Sequence, residues 1–299
     1  VGALGESAFY GCDSLRTVNI AGGSRLDSIG RYAFAYCYKL QNINLQDATQ
    51  LKHLMYRVFY NCTELQSITI PASVVEFGDE YYGADLLGYC KKIETITFLA
   101  ANVPDNFYNG GSGTILNTVN IGPGVKRIGK RAFGDNYYLK NLNIDANVRD
   151  LVIGEYAFTE ADRLERVLLP KGVISLETAA FRSCDSMYVF TFADGSPITT
   201  IPQECFYYCL CLQKLALPDA VQTVENGAFG YCRALTEISF GTALTSLPDD
   251  YYLFSHCDKL QKITLPGVNY PFVREIWITD NAVYYVHTDL LDMYRTNNF

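Results

Sequence analysis

The chain has 299 residues, a formal net charge of −8, and 49% hydrophobic residues. Such a composition supports a long buried core, and an acidic chain without a basic stripe argues against nucleic-acid binding. No run of about 18 or more apolar residues occurs, so the sequence predicts no membrane span. Val1–Tyr10 also lacks the basic start and apolar block of a signal peptide.

From its first residues the chain repeats one pattern of apolar positions every ~23 to 25 residues, the signature of a solenoid. The middle of the unit, AFxxCxxL, has the spacing of about two turns of helix or 3₁₀ structure. Its end, LxxIxF, alternates like a short strand. One unit cannot bury its apolar faces alone, so stacked copies form the core. In Val221–Phe240 the apolar positions are Val221, Val224, Ala228, Phe229, Cys232, Leu235, Ile238 and Phe240.

The copies run through the chain as one domain, 1–299, of about eleven to twelve repeats. Val1–Phe9 matches Val125–Phe133 position for position, so the chain opens on the uncovered edge of a repeat, and we expect the natural protein to continue upstream, where any secretion signal would lie. Insertions at 78–85 and 109–113 are adjacent in the stack. Inserted loops often bind ligands, although tolerated surface variation is the reading that the sequence favours. The key aromatic residues are Phe9, Phe34, Phe59, Phe133, Phe158, Phe181, Phe206, Phe229 and Phe254, with Leu87 in the fourth copy.

The C-terminal end departs from the repeat. The last repeat strand is predicted at 273–278, and Val283–Val286 reads as one further strand. Thr288 can then cap a short amphipathic helix that carries Leu290 and Leu291 on one face. Residues 279–299 are therefore predicted to form a strand–helix cap over the end of the core.

Ten cysteines raise the question of disulfides or metal. Eight of them share one core-facing repeat position, which Asn136 and Ala161 fill elsewhere. Neighbouring cysteines come within disulfide reach at strand spacing, but the substitutions favour a ladder of small, buried free thiols. Cys205 is also predicted to be buried, and Cys211 to be exposed. CxxC pairs are absent and ligands strung along a rod cannot converge, so we expect no zinc site.

Catalytic constellations are not supported either. His53 and His256 lie eight repeats apart, and Ser255-His256-Cys257-Asp258 has triad residue types without triad geometry. Gly124-x-x-x-x-Gly129-Lys130-Arg131 lacks the Ser or Thr of a phosphate-binding loop, and Gly129 recurs as Gly5, Gly30 and Gly154. We therefore expect no enzyme, no metal, no catalytic residue and no cofactor.

The solvent face of the strand sheet is the predicted functional surface. In its first six repeats the outward residues are mostly amides and hydroxyls, which could suit a glycan. From the seventh repeat aromatic, aliphatic and charged residues mix, as protein-binding surfaces favour. Packing of Trp277 under the cap is the alternative for that residue. The candidate ligand-binding residues are Arg166, Leu168, Tyr188, Val189, Lys214, Glu237, Lys262, Arg274 and Trp277.

Tyrosines recur one or two residues after the key Phe, on the outer turn. We expect neighbouring rings to stack along the rod, and a tyrosine-rich adhesive strip is the functional alternative. The residues are Tyr10, Tyr36, Tyr60, Tyr207, Tyr208 and Tyr231.

The recurring I-G-x-x-A-F-x-x-C-x-x-L-x-x-I-x-L, as in Ile29–Leu45, resembles the BspA-type leucine-rich repeat. Val283–Arg295 likewise resembles the terminal segment of such proteins in gut-dwelling bacteria. The pattern departs at Leu87, Asn136, Ala161 and the degenerate fifth repeat. The resemblance implies an α/β leucine-rich-repeat solenoid, a right-handed superhelix with a parallel strand sheet on one face and short helical or 3₁₀ turns elsewhere.

The resemblance also implies secretion or attachment to the bacterial cell surface, and adhesion to host matrix proteins, host cells or other microbes. We therefore predict a monomeric macromolecule-binding module whose partner is a host or microbial surface protein, with a glycan as a second class of ligand. The alternative is a structural spacer or scaffold whose active function lies in a missing upstream region.

Overall fold

The computed structural model describes residues 2–78, 84–108, 113–248 and 252–265, together with the backbone of the strand Val283–Val286. The chain winds into a parallel-strand solenoid of about eleven turns. Each turn adds one strand to a long sheet, and most turns add a shorter strand to a second face. In this part of the chain, the only helix is the 3₁₀ segment Leu45–Asp47, and no helix is long and apolar enough to cross a membrane.

The long sheet has ten parallel strands, and a two-stranded pair extends the same face toward the N-terminus. The pair is Thr17–Val18 with Asn42–Ile43; the ten strands are Ser67–Ile70, Thr95–Phe98, Thr118–Ile121, Asn141–Ile144, Arg166–Leu169, Val189–Phe192, Lys214–Ala216, Glu237–Ser239, Lys262–Leu265 and Val283–Val286. We call this combined surface the long face.

The second face consists of three shorter parallel sheets. The first is Ala3–Leu4, Ser28–Ile29, His53–Leu54 and Glu76–Phe77; the second is Asn102–Val103, Arg127–Ile128, Leu151–Ile153 and Val173–Leu176; the third is Thr200–Ile201 and Thr223–Val224. We call this the short-strand face.

The core lies between the two faces. On the long face, Val167 and Leu169 point inward while Arg166 and Leu168 are exposed, so the predicted alternation is confirmed. Between the faces, the key phenylalanines form a column: Phe133, Phe158 and Phe181 stack nearly parallel at centroid distances of 5.7 and 5.5 Å. Stacking of identical repeats thus buries what no single repeat can bury.

The segment from the repeat alanine to the cysteine is not helical, and the prediction of two helical or 3₁₀ turns was wrong. Tyr32 and Tyr36 have φ angles of 55° and 61°, which interrupt any helical run. The N–H groups of Ala35 and Cys37 close single turns onto Tyr32 and Phe34. The alternate N–H groups of Phe34 and Tyr36 instead donate to the next repeat, at 2.9 and 2.8 Å. Half of these four N–H groups therefore form hydrogen bonds to the neighbouring repeat.

At the C-terminal end the predicted strand Val283–Val286 is confirmed, and it pairs in parallel with Lys262–Leu265. Because Lys262–Leu265 also pairs with Glu237–Ser239, both of its edges are occupied. The place that we assigned to a strand at 273–278 is therefore taken by Val283–Val286. Residues 273–278 themselves, and the predicted helix after Thr288, lie outside the described residues.

The cysteine ladder is confirmed: all ten cysteines are free, the ladder thiols other than half-buried Cys12 are buried, Cys205 is buried, and Cys211 is exposed. The buried ladder thiols also share a function that the sequence did not reveal. Cys62 Sγ donates to the carbonyl of Phe34 in the preceding repeat at 3.1 Å, and Cys257 Sγ to that of Phe229 at 3.1 Å. Asn136 takes over this role, since its Nδ2 donates to the carbonyl of Tyr108 at 2.8 Å.

Burial makes these thiols poor nucleophiles. Desolvation raises the pKa of Cys37 to about 12 and holds the pKa values of Cys184 and Cys205 well above their usual range. With a thiol reagent at pH 8, native protein should react rapidly at Cys211 and slowly at Cys12, and Cys211→Ser should remove the fast phase. After unfolding without reductant all ten should react; a count below eight would mean that disulfides form in the ladder.

Candidate functional site

Six outward positions form one continuous row across the long face. Paired strand positions place Asn141 beside Arg166, Arg166 beside Val189, and Val189 beside Lys214. Lys214 then lies beside Glu237, and Glu237 beside Lys262. The candidate residues of five consecutive strands therefore share one surface, as the LxxIxL pattern predicts.

We define the aromatic patch as Arg166 and Val189 of this row together with their neighbours Leu168 and Tyr188. The Arg166 guanidinium lies 5.7 Å from the centre of the Tyr188 ring, within cation–π range. Leu168 is 64% exposed, and its paired neighbour on the next strand is Thr191. The exposed Leu168 side chain therefore adds apolar surface beside the Arg–Tyr pair.

Next to it lies the charged patch, which we define as Lys214, Glu237 and Lys262. Glu237 Oε2 lies 3.1 Å from Lys214 Nζ, and Glu237 Oε1 accepts a hydrogen bond from Lys262 Nζ. The hydrogen bonds from Lys262 and Lys214 lower the pKa of Glu237. The carboxylate stays ionised between two ammonium groups, which leaves the patch with one surplus positive charge.

One ion pair at the border of the aromatic patch was missed from the sequence. Lys140 Nζ lies 3.2 Å from Glu165 Oε1, on the row of residues that immediately precede the strands and that continues into Tyr188. The two residues are 25 positions apart, and only the stacking of repeats brings them together. Arg274 and Trp277 lie outside the described residues, so their membership of the site stays a prediction.

The N-terminal part of the long face differs in chemistry. Amides and hydroxyls bond to one another across strands: Asn141 Nδ2 donates to Asn117 Oδ1 at 3.0 Å, and Asn143 Nδ2 to Asn120 Oδ1 at 2.9 Å. Asn120 in turn donates to Thr97 Oγ1 at 3.1 Å. These ladders satisfy part of the polar surface internally and carry no formal charge.

The outer turns carry two aromatic columns; neighbouring tyrosine rings are in contact along both, but only the second column shows the predicted stacking, since the rings of the first are tilted by 50° and 59°. In the first column, Tyr36 lies 5.1 Å from Tyr10 and 5.6 Å from Tyr60 between ring centres. In the second, Tyr231 stacks at 4.4 Å on Tyr208 and at 4.3 Å on His256. The role of these tyrosines as an adhesive strip stays a prediction.

The two histidines of the described segments lie in different parts of the molecule. His53 Nδ1 lies 2.7 Å from Glu76 Oε2 on the short-strand face, whereas His256 belongs to the second aromatic column. Among the residues that the structure describes, no group of three or more His, Cys, Asp or Glu side chains could hold a metal ion.

Comparison with known proteins identifies one matching family model. The family model described as BspA type Leucine rich repeat region matches residues 1–110, 101–209 and 199–273, with six copies. No curated protein matches the chain.

Solved structures of bacterial repeat proteins are also similar. A leucine rich cell surface protein from Faecalibacterium prausnitzii is 26% identical, with 93% of this chain and 78% of that chain covered and a TM-score of 0.43. A leucine-rich repeat protein from Bacteroides ovatus is 20% identical, with 96% and 88% covered and a TM-score of 0.48. The pneumococcal vaccine antigen PcpA is 20% identical, with 99% and 69% covered and a TM-score of 0.46.

Proposed function

Because this chain belongs to the BspA-type leucine-rich repeat family, we propose that it is a cell-surface or secreted module that binds a macromolecule through its long face. The partner is a host or microbial surface or matrix protein. The aromatic patch is the centre of the contact and the charged patch is its rim, while Arg274 and Trp277 stay candidate ligand-binding residues. The module acts as a monomer, without catalysis, cofactor or metal.

The observation that carries this proposal is the aromatic patch itself. Binding energy at protein interfaces concentrates in a few residues, enriched in Tyr, Trp and Arg, that become desolvated on contact. The Arg166 guanidinium already lies within cation–π range of the Tyr188 ring, so the two side chains present a joint aromatic and cationic surface to a partner. Leu168 supplies exposed apolar surface at the next outward position of the strand that contains Arg166.

The surrounding charges suit a rim. On one side of the aromatic patch, Lys140 and Glu165 form a compensated ion pair; on the other side, Glu237 and its two lysines form a cluster with one surplus positive charge. Exposed ion pairs of this kind contribute little to stability, because water and salt screen them. Their role is therefore to select a complementary partner and to set the salt dependence of association. The name of the Faecalibacterium prausnitzii relative, a cell surface protein, supports the location that we propose.

The test is a binding measurement with purified chain against immobilised fibronectin, laminin, collagen and mucin. Tyr188→Ala should weaken a saturable interaction by about tenfold or more. Tyr138→Ala is the matched control, because Arg163 lies 4.3 Å from the Tyr138 ring in a second Arg–Tyr pair that precedes the strands and does not belong to the aromatic patch. The control should leave the affinity unchanged, and neither variant should alter the melting temperature appreciably.

Two outcomes would contradict the proposal. An equal loss of affinity in Tyr188→Ala and Tyr138→Ala would mean that binding does not centre on the aromatic patch of the long face. An absence of saturable binding by folded protein across the panel would favour the spacer or scaffold alternative. Labelling of intact source cells with an antibody against the chain tests the location independently.

A further inference from the structure

A groove of about 210 Å³ lies on the long face, over its first strands and far from the aromatic patch. It forms where the strand Asn42–Ile43 ends after two residues and the 3₁₀ segment Leu45–Asp47 begins, while the next strand, Ser67–Ile70, continues for four residues. The premature end of one strand leaves a depression in an otherwise regular surface.

The wall of this groove is held in place by Asn44. Its Oδ1 accepts a hydrogen bond from the Ile20 N–H at 2.7 Å, and its Nδ2 donates to the Ile20 carbonyl at 3.1 Å and to Asp47 Oδ2 at 2.6 Å. The Asn44 side chain therefore links the 3₁₀ segment, which follows the strand Asn42–Ile43, to the backbone just after the strand Thr17–Val18. These hydrogen bonds fix the shape of the groove, which belongs to the second repeat and not to a loose loop.

The remaining polar lining is available to a ligand. In contrast to Asn44 and to the amide ladders further along the face, these side chains make no hydrogen bond to any described part of the chain. None of them is charged. They are Thr17, Asn19, Asn42, Gln46, Ser67 and Thr69.

The chemistry of this lining selects its ligand. Amide and hydroxyl groups each donate and accept hydrogen bonds, as sugar hydroxyls do. Phosphate or another anion would be recognised by cationic groups, and no charged residue is among the described residues that line the groove. An extended peptide needs pockets for apolar side chains, but of the three apolar residues that line the groove, Ile43 and Ile68 are only 7% and 3% exposed and Val18 is half-buried.

We propose that this groove is a second binding site of the protein, for a neutral saccharide unit. Its volume is below the ~300–1,000 Å³ of sites for drug-sized ligands, so it holds one ring of a glycan whose remainder extends into solvent. The strand Ser67–Ile70 lies four strands from Arg166–Leu169, a distance of about 19 Å at sheet spacing. The saccharide site and the aromatic patch are therefore separate.

The experiment uses the full purified chain on an array of neutral and sialylated oligosaccharides, followed by titration with the best neutral oligosaccharide. The expected result is saturable binding to a neutral glycan that persists from about 0.01 M to about 1 M ionic strength, since no charge is involved. The double variant Asn42→Ala/Ser67→Ala should weaken it by about tenfold. Asn143→Ala, which removes an amide from the same face outside the groove, should leave it intact.

Three results would overturn the proposal: no neutral glycan bound by folded protein, binding confined to sialylated glycans, or equal affinity of the double variant and the wild type. Tyr188→Ala separates the two sites, because it should reduce binding to the protein partner and leave glycan binding unchanged. A failure of the proposed function would therefore appear in different variants from a failure of this inference.

Discussion

Gly154→Ala is expected to lower the free energy of unfolding by about 3 kcal/mol, whereas Gly5→Ala leaves it nearly unchanged. A Cβ atom on Gly154 would lie 2.5 Å from the carbonyl oxygen of Ile128 and 2.9 Å from the carbonyl carbon of Gly129. Both atoms are backbone of the preceding repeat, which cannot rotate away as a side chain can. Gly5 occupies the same repeat position, but a Cβ atom there meets nothing within 4 Å.

The measurement is denaturant unfolding of both variants, with the midpoint and the slope compared with the wild type. A small effect of Gly154→Ala would mean that the repeats separate easily and that the close contact is not required. The same geometry explains the apparent phosphate-loop glycine. A Cβ atom on Gly129 would lie 2.6 Å from the Asp105 nitrogen, so this glycine is required for repeat packing.

The sequence predicted those parts of the fold that one repeat encodes by itself. Strand alternation, the phenylalanine column and the buried cysteines all depend on which residues are apolar at fixed spacing. The turn segment could not be predicted in this way, because helical turns and single turns bury the same residues. What separates them is the positive φ of residues such as Tyr36, which at the equivalent position of the first repeat is the permissive Gly11.

The candidate site, like the fold, combines features that the repeat pattern predicts with features that it does not. The row from Arg166 to Lys262 follows from the LxxIxL pattern, since identical repeats stack in register. The pair of Lys140 and Glu165 depends on side-chain reach between repeats, which a single repeat does not encode. The groove depends on the 3₁₀ segment Leu45–Asp47, which ends one strand early where its neighbour continues. Irregularities of individual repeats, rather than the consensus, therefore create the distinct binding surfaces.

Phe181→Ala is expected to be the most destabilising single substitution that we propose, with a loss of about 3–5 kcal/mol. The Phe181 ring is fully buried and lies 5.5 Å from Phe158, 6.4 Å from Phe206 and 5.1 Å from Phe190 between ring centres. Truncation would open a cavity that borders three consecutive repeats. Phe181→Leu keeps most of the apolar volume and should cost only about 1 kcal/mol.

The difference between the two variants tests how the solenoid is held together. In a stack whose repeats contact only their neighbours, a cavity at Phe181 weakens the interfaces on both sides of one repeat. Unfolding followed by near-ultraviolet and far-ultraviolet circular dichroism should then show separate transitions for Phe181→Ala and one transition for Phe181→Leu. If both variants were as stable as the wild type, ring stacking and volume at this position would matter little. In that case the inter-repeat hydrogen bonds of the turn segments, such as that from the Phe181 N–H to Cys205, would be the dominant link between repeats.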